Sequence, residues 1–117
     1  MTDPQEHALV LKALRSGLSN CVEWISDKTS LRIRNDPDCQ GLTPEGIRQE
    51  LLDFVQAGGD MIQKEETRPE YAHYRFFYKA ILPVEGFPRG LFVELVLHDD
   101  DSDYPEVRLV NAHPQRS

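Results

Sequence analysis

The sixteen residues 64–79 gather the densest group of reactive side chains in this sequence: Lys64, Arg68, Tyr71, His73, Tyr74, Arg75, Tyr78 and Lys79. Lysine, histidine and tyrosine can carry protons, and arginine and lysine can neutralise phosphate oxygens. Cleavage of an RNA phosphodiester by its own 2′-hydroxyl needs such groups around one phosphate. A base takes the 2′-hydroxyl proton, an acid protonates the 5′-oxygen, and cations hold the charge that builds on the phosphorane. Aromatic rings can stack a splayed base beside them. Arg75 and Lys79 stand at i and i+4 with Phe77 between, which puts them on one face of a strand. The composition is sufficient for this chemistry without being specific to it. Half-buried strands also carry Arg and Lys that snorkel to water, and tyrosine is a good strand former.

Outside that segment the candidates thin out. The remaining histidines are His7, His98 and His113, and the four form no HxxxH or HxH pair, so no metal site and no cofactor are predicted. His98 and His113 end neighbouring predicted strands; His113 can enter proton transfer if a phosphate-binding group lies beside it. Cys21 and Cys39 are 18 residues apart with no CxxC pair, which reads as two reduced structural thiols. Asp99, Asp101 and Asp103 match the first, third and fifth positions of a calcium loop. The sixth is Tyr104 where the sharp turn needs glycine, and the twelfth is Val110 where a bidentate glutamate is needed. The segment is expected to be a solvated hairpin loop.

Charge narrows the partners. The chain has 13 Lys and Arg against 20 Asp and Glu, a net −7. Residues 61–98 are neutral, whereas 99–106 carry five acids and no base. Wrapping duplex DNA needs a basic face and is disfavoured, although a small site for one or two phosphates depends only on local cations. The acidic run Asp99, Asp100, Asp101 and Asp103 suits a basic protein partner reached by charge-steered association, as for an antitoxin, an immunity protein or a regulatory subunit. No apolar run approaches the roughly 18–20 residues needed to span a bilayer. Residues 1–6 lack the basic-then-apolar layout of a secretory signal, so a cytoplasmic protein without membrane contact is expected.

The elements that must position these groups follow from periodicity. Leu11, Leu14 and Leu18 make an apolar stripe that predicts a helix over 6–17, closed by Gly17. Residues 21–25 are a short apolar segment, either a helical turn or a strand, and 31–34 alternate with period two. Thr43, Pro44 and Glu45 supply an N-cap, a first helical position and a dipole-matched acid, predicting a helix over 44–57 that ends at Gly58-Gly59. From there the period is two: strands near 74–81, 91–98 and 106–111, joined by a turn at 83–88 and the acidic loop 99–105. One α+β domain spanning 1–117 is expected, with a helical part at about 6–57 packed on a small antiparallel sheet of three or more strands at about 61–114.

The order of parts resembles a family. Gly41-Leu42-Thr43-Pro44 opens a helix, and Tyr74-Arg75-Phe76-Phe77-Tyr78-Lys79 follows in a strand. Leu91-Phe92-Val93-Glu94-Leu95-Val96-Leu97 and Val107-Arg108-Leu109-Val110-Asn111-Ala112-His113-Pro114 complete the pattern. Over about residues 41–114 this is similar to the RelE/ParE-like toxins, particularly their motility quorum-sensing regulator (MqsR-like) branch. The resemblance implies a metal-independent mRNA interferase acting on RNA and neutralised by a cognate antitoxin. It implies that Lys64, Arg75 and Lys79 bind and neutralise phosphate, and that Tyr78 or His113 transfers protons to give a 2′,3′-cyclic phosphate. Arg68, His73 and Tyr74 would contact substrate. Two features depart from the family pattern: the isoelectric point near 5.0, where such toxins are usually basic, and the acidic loop between the strands that should flank the site.

Overall fold

A computed structural model describes residues 2–18, 20–39 and 41–115. Helix α1, Pro4–Ser16, begins two residues earlier than expected because Asp3 caps it, its carboxylate accepting the Gln5 and Glu6 N–H groups; Gly17, at φ 70°, closes it. Strand β1, Val22–Trp24, and helix α2, Asp27–Asn35, follow. Helix α2 settles residues 31–34, where four alternating residues left the element open. The Ser26 hydroxyl accepts the Thr29 N–H, and only Ile33 of the helix is buried. Four alternating residues could not outweigh a capped start and a single inward-facing position. Helix α3, Pro44–Gln56, is capped by Thr43 as expected and buries Ile47, Arg48 and Leu51. The Arg48 guanidinium ties it to α1, donating to the Leu14 carbonyl at 2.7 Å while paired with Glu45 at 2.6 Å.

The remaining strands are β2, Ile62–Glu65; β3, Phe76–Leu82; β4, Leu91–Asp99; and β5, Glu106–Pro114. The five-stranded sheet has the order β1-β5-β4-β3-β2. The fold is α+β, with helices ahead of most of the sheet. One correction applies to the expected antiparallel sheet: β1, from within the helical part, adds to β5 in parallel. Ile25 N–H bonds to the Leu109 carbonyl and Val107 N–H to the Cys21 carbonyl, which gives the outer edge of β5 a partner.

The helices cover one face of the sheet. Val10, Leu14, Ile47 and Leu51 meet Phe76, Tyr78, Val93, Leu95 and Leu109 there in a continuous core. The opposite face is covered differently. Segment 66–75, which contains a 3-10 turn at Pro69–Tyr71, folds back so that Arg68 reaches Glu94 in mid-β4. That strand is therefore buried on both sides, and its run Val93 to Leu97 is closed to water throughout. Among the described residues, no helix is long and apolar enough to cross a membrane.

Gly90, at the turn into β4, has φ 91°, and a Cβ there would lie 2.6 Å from Ile81 Cγ2 and 3.1 Å from the Leu82 carbonyl oxygen. Gly90→Ala should cost about 1–3 kcal/mol in chemical denaturation. Gly86→Ala, also at positive φ but with nothing within 4 Å, should cost less.

Candidate functional site

The chemistry-bearing segment does not converge on one phosphate. Strand β3 starts at Phe76, so Tyr74 and Arg75 lie in the turn before it. The strand argument that paired Arg75 with Lys79 needs both in one strand, and it fails. Arg75 turns toward α1, 3.3 Å from the Asp3 carboxylate and 5.1 Å from the centroid of Phe76. Lys79 faces outward opposite Glu94, and Lys64 outward opposite Phe77. Tyr78 faces the helices and is fully buried; its hydroxyl accepts a 2.7 Å hydrogen bond from the Gln63 amide, and burial pushes its phenol well above the usual range. It is a core side chain, out of reach of any phosphate.

Two concavities collect the other candidates. The first is a groove of about 680 Å³ on the outer face, lined by Lys28 and Arg32 of α2, Arg68 and Tyr71 of the covering segment, and Asn111 and His113 of β5. Arg68 is occupied. It pairs with Glu66 at 2.8 Å and with Glu94, whose side chains are 0% and 9% exposed, and its guanidinium lies 4.8 Å from the Tyr71 ring and 5.2 Å from that of Phe77. The hydrogen bonds from Arg68 hold the Glu66 carboxyl below the usual range. Lys28 and Arg32 have no carboxylate partner among the described residues. Arg32 instead donates to the Asn111 side chain. His113 stacks on Phe92 with centroids 4.8 Å apart, and its Nδ1 lies 2.9 Å from the Pro114 carbonyl oxygen. A carbonyl can only accept, so Nδ1 is the donor here, and in the neutral ring Nε2 has the lone pair. Asp36 and Glu70 on the same walls offset the two unpaired cations.

The second is a cleft of about 420 Å³ between the start of α1 and the end of β4, bounded by Asp3, Glu6, Leu9, Tyr74, Leu97 and Asp100. His73, Arg75 and His98 stand in it as well. Tyr74 Oη and His98 Nδ1 are 3.0 Å apart, and the His73 and Tyr74 rings 4.0 Å. Burial pushes the Glu6 carboxyl up, and the neighbouring charges of Asp3 and Asp100 add to that shift while Arg75 opposes it.

The acidic hairpin beside this cleft is held in shape by its own backbone. Asp99 accepts the Asp101 N–H at 2.9 Å, and Asp101 accepts those of Asp103 and Tyr104 at 2.8 and 2.9 Å, which holds its carboxyl below the usual range. Asp99, Asp100, Asp101 and Asp103 are exposed, and so is Tyr104, at 65%. Both cysteines are buried, and burial pushes the Cys39 thiol up to about 11, as suits an inert structural thiol.

No protein-family model, curated protein or solved structure matches the chain. Sequence reasoning had passed over Lys28, Arg32 and Glu6. The Ser26-Asp27 start of α2 was the available signal for the first two, since a helix there puts Lys28 and Arg32 at i and i+4 on one face. Nothing local distinguishes Glu6 from any acid in a first helical turn.

Arg68→Ala should destabilise the fold by about 3 kcal/mol, the low end for breaking a buried pair because Arg68 is itself 35% exposed. Glu66 titrates below its ordinary 4.5 in the folded state, so its stabilisation is full above that value and lost as the pH falls through the lowered pKa. The cost of Arg68→Ala, measured by denaturation across pH, should shrink over that acid window. Glu6 has the opposite sign. Glu6→Gln should raise the melting temperature at pH 7, and the gain should disappear once the pH is below the ordinary 4.5.

Proposed function

We propose that this chain is a non-enzymatic interaction module that takes a basic protein partner at the acidic end of its sheet, in the manner of an antitoxin, an immunity protein or a regulatory subunit. The observation that carries the reading is an assembled acidic cleft: Asp3 and Glu6 at the start of α1 and Asp100 of the hairpin line the same concavity. Two distant segments therefore make one negative surface. The cations beside it are engaged, Arg75 with Asp3 and Lys12 with the Ser102 carbonyl. A net charge of −7 steers a basic partner toward such a surface, and it repels polyanions. Tyr104 stands exposed in the middle of the acids as the kind of aromatic anchor that dominates interface energies.

A second reading, the metal-independent endoribonuclease of the RelE/ParE-like resemblance, is favoured at one place. The outer groove puts His113, with its Nε2 lone pair, alongside Lys28 and Arg32. In that reading the imidazole is the base, the two cations hold the phosphate, and Lys64, Arg75, Tyr78 and Lys79 drop out of the catalytic set.

One pair of experiments separates the two. Cross-linking in cells, followed by mass spectrometry, should return a basic partner whose binding weakens steeply with added salt. Replacing Asp99, Asp100 and Asp101 together by Asn should cut that binding by at least about tenfold. Unchanged binding in the triple variant, or binding indifferent to salt, sinks the interaction module. Inducible expression should leave growth and total RNA intact. Growth arrest with RNA cleavage that is lost in His113→Ala and Arg32→Ala establishes the nuclease instead.

A further inference from the structure

Strand β2 stands at one end of the sheet order, and among the described residues its outer edge meets no other strand. The pairing with β3 sets which groups line that edge. Glu66 N–H bonds to the Arg75 carbonyl at 2.9 Å, and the same register continues through Lys64 opposite Phe77 and Ile62 opposite Lys79. Hydrogen-bonded pairs alternate along an antiparallel ladder. Ile62 and Lys64 therefore bond to β3, while Met61, Gln63 and Glu65 turn their N–H and C=O groups outward. Such an edge is a ready template for another strand unless it is blunted, for example by a proline or a bulge. β2 has no proline, and its register against β3 has no bulge. Apolar surface lies beside it: Ile62, 49% exposed, and Ile81, 47% exposed, are diagonal neighbours on the outer face.

We propose that two copies of this chain join by antiparallel pairing of their β2 edges about a two-fold axis at Ile62, making one continuous sheet. Charge decides the register. Only odd-numbered residues present bonding groups to the edge, so the axis must pass through a residue and not between two. Centred on Ile62, Met61 and Gln63 exchange the backbone bonds, Ile62 meets Ile62 of the second copy, and Asp60 faces Lys64 on both sides of the axis. Centred on Met61, Ile62 faces Asp60. Centred on Gln63, Ile62 faces Lys64 and Asp60 faces Glu66; centred on Lys64, two lysines oppose each other. Opposite charges and apolar pairs directly across a ladder stabilise it, and like charges destabilise it. A lysine on an edge strand ordinarily wards off pairing, but in this register Lys64 meets a carboxylate. The same patch serves both copies, so the contact closes at two. It is separate from the acidic hairpin, which lies between β4 and β5.

Sedimentation equilibrium of the full chain, from low micromolar to millimolar concentration, tests the pairing. It should give a monomer–dimer equilibrium with a dissociation constant on the order of tens of micromolar, as suits a contact smaller than a standard interface. Asp60→Lys and Lys64→Asp should each weaken it at least about tenfold, and the two together should restore it to within about threefold of the parent. Asp60→Lys lowers the net negative charge of both copies, so its effect cannot be general repulsion. Both side chains are exposed, and circular dichroism of the dilute variants should match the parent. Cross-linking checks the register. Ile62→Cys should form a covalent dimer on mild oxidation with diamide, because Cα atoms of a non-hydrogen-bonded pair stand about 4.5 Å apart, within disulfide reach. Lys64→Cys sets the two Cα atoms more than about 13 Å apart and should stay monomeric on a non-reducing gel. The native Cys21 and Cys39 are both buried.

A monomer at every concentration overturns the proposal. So does a dimer indifferent to both single charge reversals, a double variant as weak as the single ones, or cross-linking at residue 64 equal to that at residue 62.

Discussion

Much of this structure depends on burying one carboxylate in the middle of its central strand. Glu94 sits in β4 with its side chain 9% exposed, in a run otherwise made of Val, Leu and Phe. An unpaired charge there would cost several kcal/mol, so a cation has to be brought to it. Arg68 does this, and Glu66, whose side chain is fully buried, holds Arg68 from the other side. The result is a three-membered ion network with two aromatic rings against its cation. It pins segment 66–75 across the outer face of the sheet, closes the second side of β4 and raises one wall of the outer groove. The same pinning sets where the segment ends. His73, Tyr74 and Arg75 come out at the sheet margin beside α1, away from Lys64 and Lys79.

The molecule treats two of its partly or wholly covered carboxylates differently. Glu66 is hydrogen-bonded by an arginine, and its carboxyl is held down. Glu6 lies among other acids, has an oxygen with no partner, and its carboxyl is pushed up. The first arrangement contributes stability at neutral pH and the second takes some away. The hairpin next to it is braced by its own backbone, so the fold itself holds Asp99 and Asp101 in place.

Several elements were legible because their determinants are local. Helix α3 carries its own cap, its proline and a clean apolar face, so it formed within one residue of expectation. Strand β4 and the acidic hairpin were equally plain, since alternation and a run of aspartates need no tertiary help to recognise. Residues 31–34 stayed open because a short α2 with one buried residue has almost no amphipathic signal. Residues 21–25 stayed ambiguous because β1 is three residues long and exists as a strand only through its bonds to β5.

For the site, the sequence by itself determined the inventory and the charge balance: which residues can move protons, where the acids gather, and that no metal-ligand spacing is present. It also determined that Tyr78 and Lys79 face opposite ways, because strand side chains alternate whatever the surroundings. Only the tertiary structure decided which of these groups meet. Arg68 and Glu94 are 26 residues apart, Arg75 and Asp3 72 apart. Long-range pairing of charges depends on which burial would otherwise leave a carboxylate unpaired, and that is a property of the packed sheet and of no local segment. Glu6 became distinctive for the same reason: its surroundings come from α1, the turn before β3, β4 and the hairpin, and they are assembled only when the chain folds.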